Sequence, residues 1–266
     1  DNWYNPMFFN MDRAGIPKGS DDWHTLMHEI GHALGLRHPF AGSNKLPAKY
    51  DSYLYTIMSY TASPWSSTDD GYASFYPTTP MYYDLVAIQR LYGDNTRINA
   101  GATTYTFNDG VRYWQAINDS SGIDMIVYNG NEKSRIDLRE GKFSHVSETI
   151  FFTGASTRGT VTIGPDVVIE KARGGNANDI LYGNKWNNVL DGRTGSDSVF
   201  GMEGNDLLYG GAGNDRLVGG PGKDFFIFTK ALSATSNVDR ITDFRPVDDT
   251  IRLENAIFTK LGAPGL

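Results

Sequence analysis

The sequence predicts an α+β region followed by an all-β parallel roll. Three observations lead to this prediction. Apolar residues recur at a helical period over 22–35, short β-rich segments between turn clusters fill 103–171, and from Gly174 onward a glycine returns every nine residues. Two nine-residue units make one turn of a parallel roll, so loops eighteen residues apart are expected to stack on the same edge.

The amino-acid composition limits the classes of protein to which the chain can belong. The chain has 266 residues, of which 39% are apolar and 13% aromatic, values typical of a folded protein. Its net charge of −7 argues against a nucleic-acid partner, which would require a basic surface. Cysteine is absent, which excludes disulfides and thiolate metal sites. No apolar stretch is long enough to span a bilayer, and no signal peptide is recognisable.

Two helices and five strands are predicted outside the repeat. Asp21 or Asp22 is expected to cap the helix over 22–35, and Gly35 to end it. A second helix is expected over 84–92, where Gly93 follows. The predicted strands are 104–107, 125–128, 135–138, 160–163 and 167–170.

The repeat consists of six glycine-led units. They begin at Gly174, Gly183, Gly192, Gly201, Gly210 and Gly219. The apolar residues near the eighth position are Leu181, Leu190, Val199, Leu208, Leu217 and, one place late, Ile227. A flexible glycine linker is the alternative interpretation, but an apolar residue that keeps the nine-residue period argues against it.

A histidine motif in the first helix predicts a zinc site. His28 and His32 are four residues apart, so they lie on one helical face and can share one ion. Gly35 can reverse the chain through a positive φ, which allows His38 to supply a third nitrogen. Three imidazoles leave one zinc position open, the arrangement of catalytic rather than structural sites. Glu29, about 100° around the helix from His28, can reach the attacking water.

Two other histidines are interpreted differently. His24 lies a further turn upstream, too far along the axis to bind the same ion as His32, and is expected at the surface or on the substrate side. His145 stands alone among predicted strands and is expected to be structural.

The extended motif H-E-x-x-H-x-x-G-x-x-H resembles the metzincin zinc endopeptidases, and 28–39 is similar to the zinc segment of the serralysins, secreted bacterial proteases. Segments 57–60, 84–93 and 168–172 are also similar to serralysin segments. The resemblance implies peptide-bond hydrolysis with Glu29 as general base. It implies a Met-turn with Met58 beneath the zinc, and it makes Tyr60 a resting zinc ligand that swings to stabilise the oxyanion.

The glycine-rich loops are predicted to bind several calcium ions between stacked units, because each offers carbonyls and one acidic side chain. The first edge of the roll carries Asp179, Asp197 and Asp215, and the second edge Asn188, Asp206 and Asp224. Trp186 stands where glycine is expected, so the site between the Gly183 and Gly201 units should be the weakest. The candidate ligands are Gly174, Asn176, Asp179, Gly192, Thr194, Asp197, Gly201, Glu203, Asp206, Gly210, Ala212, Asp215, Gly219 and Asp224, with Asp243 added by resemblance.

The resemblance divides the chain into four parts. Residues 1–97 are the C-terminal part of a metzincin domain, 98–172 a strand-rich connection, 173–230 the calcium-binding parallel β-roll, and 231–266 the start of a C-terminal β module. The implied fold is therefore an α+β metzincin domain that lacks its N-terminal part, followed by an all-β roll. The resemblance also implies extracellular localisation through a bacterial type I exporter, with calcium-dependent folding outside the cell.

The resemblance to serralysins does not determine which form of the protein would be active. Serralysins carry a half-domain upstream of the zinc helix that includes the strand aligning the substrate, whereas 27 residues precede His28 here. Residues 1–10 can match at most the strand after it. The expected alternatives are a piece of a longer chain, a missing segment supplied by another polypeptide, and a reduced protease.

Two functional alternatives accompany the zinc endopeptidase: a calcium-binding surface or adhesion protein with a vestigial protease region, and an inactive fragment that retains its metal sites. The expected partners of the endopeptidase are protein or peptide substrates and a proteinaceous inhibitor.

Overall fold

The fold contains two α-helices, a short 3₁₀ helix and fifteen strands within the part of the chain described by the computed structural model, residues 15–43, 45–65, 72–231, 233 and 235–258. The expectation for 1–10 lies outside these residues. The helices are α1 (Asp21–Ala33) and α2 (Tyr82–Tyr92), with the 3₁₀ helix at Ala48–Tyr50. The strands are β1 (Thr104–Asn108), β2 (Gln115–Ile117), β3 (Met125–Asn129), β4 (Arg135–Asp137), β5 (Phe143–Phe152), β6 (Ala155–Ile163), β7 (Lys171–Arg173), β8 (Ile180–Tyr182), β9 (Val189–Asp191), β10 (Ser198–Phe200), β11 (Leu207–Tyr209), β12 (Arg216–Val218), β13 (Phe225–Phe228), β14 (Arg240–Ile241) and β15 (Thr250–Leu253).

Helix α1 begins one residue earlier than predicted. Its cap is Ser20, whose hydroxyl accepts a hydrogen bond from the Trp23 N–H at 3.1 Å, so the prediction of Asp21 or Asp22 as the cap is wrong. Both aspartates instead lie in the first turn, where their negative charges interact favourably with the positive end of the helix dipole. The last helical residue is Ala33, and Gly35 has a φ of +89°. None of the described helices is long and apolar enough to cross a membrane.

Two sheets form the walls of the roll. One has seven parallel strands in the order β1-β3-β7-β9-β11-β13-β15. The other has eight in the order β14-β12-β10-β8-β4-β5-β6-β2, and its antiparallel pairs are β4–β5 and β5–β6. Leu181 pairs with Val199, and Leu190 with Leu208, so strands eighteen residues apart are neighbours, as predicted.

One apolar side chain from each strand of the repeat fills the interior of the roll. Five of the apolar residues at the eighth position are fully buried, with 0% exposure: Leu181, Leu190, Val199, Leu208 and Leu217. In the last unit Phe226, at the eighth position itself, pairs with Leu208 and is also 0% exposed. Ile227 falls on the opposite side of a period-two strand and remains 8% exposed.

The same core extends upstream of the glycine repeat. Phe107, Ile126, Ile136 and Val161 pack in one cluster with the repeat leucines, so 98–172 shares the interior of the roll. The predicted strand over 167–170 is wrong: the ladder with β3 and β9 begins only at Lys171. The buried alternation of Val167 and Ile169 gave a strand-like pattern without strand pairing. Strands β2 and β5 were not predicted.

A second core joins the helical region to the roll. Leu54, Ile57, Met58 and Met81 from the helical region pack with Trp114, Ile150 and Phe152 from the strand region. Backbone contacts cross the same boundary, since the Thr78 N–H donates to the Trp114 carbonyl at 2.8 Å. The long β5–β6 hairpin therefore supports the segment that carries the histidines.

Truncation of Leu208 tests the repeat core. Leu208→Ala removes a fully buried side chain and should lower the free energy of unfolding by about 2–5 kcal/mol. The matched control is Leu253→Ala on β15, where the leucine is 36% exposed and the loss should stay below about 1 kcal/mol. Urea unfolding with calcium present measures both variants. Equal losses would contradict the assignment of Leu208 to the core.

Candidate active site and metal centres

Three histidine nitrogens meet at one point beside α1. His28 and His32 project from the helix, and His38 returns after the reversal at Gly35. The Nε2 atom of His38 lies 3.2 Å from that of His28 and 3.1 Å from that of His32. Among the described residues, these three histidines form the group able to hold a metal ion, with ligand atoms within 4.8 Å of one another.

The outer nitrogen of each helical histidine is held by a carbonyl. His28 Nδ1 donates to the Ile57 oxygen at 2.9 Å, and His32 Nδ1 donates to the Leu36 oxygen at 3.0 Å. These bonds place the proton on Nδ1, so each Nε2 presents a lone pair to the centre. Tetrahedral zinc with bonds of about 2.0–2.1 Å separates its nitrogen ligands by about 3.3 Å, so the residues present fit zinc.

The surroundings of His28 and His38 favour the neutral imidazole, the form that binds metals. Burial lowers the pKa of His28, and the nearby His32 lowers it further, although the bond to Ile57 acts in the opposite direction. Burial also lowers the pKa of His38, with smaller effects from His32 and His28.

Met58 lies directly against the histidine helix. The side chain is 1% exposed, and its sulfur occupies the space that a Cβ on Gly31 would fill, only 2.5 Å from that position. Because the preceding residue, Ile57, supplies the carbonyl that holds His28, the 57–58 turn supports both the helix and one predicted ligand.

Asp84 anchors that turn, and the sequence reasoning missed its role. Its carboxylate accepts hydrogen bonds from the Thr56 hydroxyl at 2.6 Å, the Ile57 N–H at 2.8 Å and the Met81 N–H at 2.9 Å. Asp84 is 2% exposed, and burial raises its pKa to about 6 against the opposing effect of these donors. The available signal was a single aspartate in the first turn of a helix with an apolar face.

Glu29 and Tyr60 lie on the open side of the cluster. The Tyr60 hydroxyl is 2.9 Å from His38 Nε2, and its ring stacks on His28 at a centroid distance of 5.6 Å. Burial, followed by the charge of Glu29, raises the pKa of Tyr60. Both side chains are exposed, so they remain accessible to a ligand at the histidine centre.

His24 is buried, and the prediction of a surface position is wrong. It is 5% exposed and its ring packs 4.2 Å from that of Tyr53, because its helical face is the one turned toward the core. Burial, then the neighbouring His28, lower its pKa to about 4. His24 is not part of the three-nitrogen group. His145 is half-buried on β5, and burial followed by the charge of Arg135 lowers its pKa to about 4.

The aspartates of the repeat form two hydrogen-bonded ladders. On the first edge, the N–H groups of Asp179 and Asp197 donate to Oδ1 of the aspartate eighteen residues later, at 2.7 and 2.8 Å. On the second edge, the N–H groups of Asn188 and Asp206 do the same at 2.7 and 3.0 Å. The remaining predicted ligands occupy the stacked loops: Thr194 pairs with Ala212, the Asn176 amide oxygen is 3.5 Å from the Thr194 hydroxyl, and the Glu203 N–H donates to the Asn184 carbonyl.

The second carboxylate oxygen of the ladder aspartates indicates which kind of metal ion the loops prefer. Within the described residues, the buried Oδ2 atoms of Asp197, Asp206, Asp215 and Asp224 have no hydrogen-bond partner. Burial, together with neighbouring carboxylates, raises the pKa of Asp197 to about 8 and that of Asp206 to about 7. Unpaired buried carboxylate oxygens beside backbone carbonyls fit a hard cation such as calcium.

Glycine is required where one loop presses on the next. Gly213 has a φ of +135°, and a Cβ there would meet the Gly195 carbonyl oxygen at 1.8 Å. The four loops from Gly192 to Gly219 share positive φ values at their second and fourth positions: Arg193, Gly195, Met202, Gly204, Gly211, Gly213, Gly220 and Gly222. The loops at Gly174 and Gly183 lack this pattern.

The unit at Gly183 satisfies its own polar groups. The Asn188 side-chain oxygen accepts the Asn184 N–H at 2.7 Å, and its amide nitrogen donates to the Glu170 carbonyl at 3.3 Å. The Asn184 amide donates to the Ile169 carbonyl at 2.9 Å. Trp186 is 51% exposed at the fourth position. An amide network thus occupies the place where the four later units carry an unpaired oxygen.

Three later aspartates continue the ladders after a longer spacing. The Asp215 N–H donates to Asp239 at 3.0 Å, and the Asp224 N–H donates to Asp249 at 3.1 Å. Asp243, predicted by resemblance, accepts the N–H groups of Gly219 and Gly220 at 3.0 and 2.8 Å. The ladder roles of Asp239 and Asp249 were missed because an insertion stretches the spacing from 18 to 24 and 25 residues.

Comparison with known proteins agrees with this arrangement. A Met-zincin family model matches residues 24–143, and an RTX calcium-binding nonapeptide repeat model matches 173–208 and 191–226. Serralysin C of Dickeya chrysanthemi is 38% identical over 204 residues, which cover 67% of this chain and 39% of the relative. The chain belongs to the serralysin-type metzincins. Serralysin of Proteus mirabilis is also 38% identical, over 60% of this chain and 35% of the relative.

Family models match both the histidine region and the glycine repeat. Metalloprotease AprA of Pseudomonas entomophila is 35% identical over 60% of this chain and 36% of its own length. The chain therefore spans less than half the length of these relatives. Metzincins hold a catalytic zinc and the nonapeptide repeats bind calcium, so zinc and calcium are the cofactors of this serralysin-type chain.

Asp84 makes the stability of the histidine region depend on pH. Its folded pKa of about 6 exceeds the usual value of 3.8, so the fold favours the protonated form. Stability from this group is greatest below pH about 4 and falls by about 3 kcal/mol as pH rises through 6. Asp84→Asn, which does not titrate, should abolish this dependence.

Urea unfolding of the wild type and Asp84→Asn between pH 4 and 7, with calcium present, provides the measurement. The stability advantage of the wild type should shrink as pH rises, because the variant lacks this titration. Parallel stability curves for the two proteins would contradict the role of Asp84.

Proposed function

We propose that this chain is the zinc-binding and calcium-binding part of a secreted metalloendopeptidase that hydrolyses peptide bonds in proteins. The convergence of three histidine Nε2 atoms at 3.1–3.2 Å, beside Glu29 and Tyr60, carries the proposal. His28, His32 and His38 would hold zinc, and Tyr60 would complete the resting site. Zinc, when bound, supplies Lewis acidity toward water and toward a carbonyl oxygen.

Glu29 is proposed as the general base. It follows His28 on α1 and is exposed on the side from which a substrate and water can enter. In the proposed reaction its carboxylate accepts a proton from the attacking water and passes that proton to the leaving amine. A residue in this role needs no further partner in the fold, which agrees with its solvent exposure.

Tyr60 is proposed to assist the transition state. Its hydroxyl contacts His38 Nε2 in the structure, and its ring is 54% exposed, so the side chain can leave this contact without disturbing the core. Once displaced, its O–H can donate a hydrogen bond to the oxyanion that develops on the scissile carbonyl.

Calcium is proposed to order the roll after secretion. The chain has no cysteine, so disulfides do not contribute, and unpaired carboxylates line both edges. Without a cation these carboxylates repel, so folding should require calcium at extracellular concentrations. The serralysin resemblance supports export by a bacterial type I system, followed by folding outside the cell.

Replacement of Glu29 tests the catalytic proposal. Glu29→Gln keeps the size of the side chain but removes the proton acceptor, so casein hydrolysis with zinc and calcium supplied should fall by about 100-fold or more. Zinc content, measured by metal analysis after gel filtration, should stay unchanged because the three histidines remain.

The outcomes separate the candidate functions. Equal casein hydrolysis by the wild type and Glu29→Gln would contradict the protease assignment. Zinc and calcium binding without hydrolysis by the wild type would favour an inactive fragment, for which the upstream substrate-aligning sheet must be supplied. Calcium binding without zinc binding would favour the surface or adhesion protein.

The calcium proposal predicts different effects for two aspartates. Asp206→Asn removes an unpaired buried carboxylate oxygen and should raise the calcium concentration needed to fold the roll on the order of tenfold. Asp248→Asn is the matched control, since Asp248 contributes only a 4.0 Å ion pair with Arg245. Far-UV circular dichroism during calcium titration measures both. Identical midpoints for both variants would contradict the ladder site.

A further inference from the structure

Phe40 is an exposed aromatic ring whose ring contacts lie in the histidine site. It stacks on His38 at a centroid distance of 5.0 Å and an interplanar angle of 15°. Its ring also lies 5.4 Å from that of Tyr60. The side chain is 38% exposed, and neither hydrophobic core of the described residues includes it. Its placement therefore does not follow from the packing of the fold.

The backbone fixes Phe40 from both sides. The Ala41 N–H donates to the His38 carbonyl at 3.0 Å and closes a turn around the ring. The Leu46 N–H donates to the carbonyl of Pro39 at 2.9 Å, and Pro39 is itself buried. The main chain that carries the ring is consequently held by the histidine turn.

Three rings surround the phenol of Tyr60. His28 stacks on it at 5.6 Å, His38 lies at 4.7 Å, and Phe40 lies at 5.4 Å. The two histidines are the predicted metal ligands and cannot move independently of the ion. Phe40 alone among the three is free of that constraint, so substitution there can change the position of Tyr60 without removing a ligand.

We propose that Phe40 is a positioning residue that holds Tyr60 against the histidine cluster. Its ring stacks on one side of His38 and limits the phenol to the arrangement in which the hydroxyl is 2.9 Å from His38 Nε2. Aromatic contacts of this kind change the population of an exposed side chain by a few-fold to about tenfold. The inference rests on the proposed role of Tyr60 at the metal.

Copper provides a direct probe of the phenol position. A tyrosine oxygen bound to Cu²⁺ gives a visible charge-transfer band that imidazole ligands do not give. The zinc-free protein, loaded with one equivalent of Cu²⁺ in the presence of calcium, should show this band, and Tyr60→Phe should abolish it. In Phe40→Ala the band per bound copper should fall several-fold, whereas Phe40→Tyr, which keeps the ring, should retain it.

Each outcome has a defined meaning. A full band in Phe40→Ala, with bound copper equal to the wild type, would overturn the positioning role while leaving Tyr60 as a ligand. No band in the wild type would remove Tyr60 from the metal site and overturn both roles. The protease proposal is judged separately, by the hydrolysis measured for Glu29→Gln.

Discussion

The roll depends on one repeated hydrogen bond, from the N–H of each loop-ending residue to the carboxylate one turn later. It joins Asp179 to Asp197 at 2.7 Å and Asp197 to Asp215 at 2.8 Å, and a second ladder repeats it on the other edge. The bond uses Oδ1 and leaves Oδ2 buried without a partner in four described aspartates. At these four aspartates one oxygen thus aligns the layer, and the other destabilises it until a cation compensates for its burial.

This constraint reaches the histidine site through packing. The β5–β6 hairpin lies in the same sheet as β8, β10 and β12, and Ile150 and Phe152 on β5 belong to the core that contains Met58. The Tyr82 hydroxyl on α2 donates to Glu140 at 2.6 Å beside the roll. Helix α2 then presents Asp84 to the turn that holds His28. Loss of order in the roll would therefore remove support from the turn beneath the proposed zinc site.

The sequence predicted the elements whose pattern has a period. The interval of nine gave the stacking of Leu181 on Val199, and the interval of four gave the convergence of His28 and His32. It failed where contacts cross between unrelated segments. Asp84 reaches back 28 residues to Thr56, and the burial of His24 depends on Tyr53. The ladder positions of Asp239 and Asp249 were hidden by an insertion, because a period cannot be followed across a change of spacing.

One unit shows how local chemistry decides between a metal and an internal hydrogen bond. Asn188 aligns its layer as an aspartate does, through its N–H to Asp206 and its oxygen to the Asn184 N–H. That oxygen lies beside Gly183 as Oδ2 of Asp206 lies beside Gly201, but Oδ2 of Asp206 has no hydrogen-bond partner. The Asn188 amide nitrogen in turn donates to the Glu170 carbonyl. The neutral amide and the Asn184 N–H that binds its oxygen therefore give a position whose side-chain atoms both have partners without a cation.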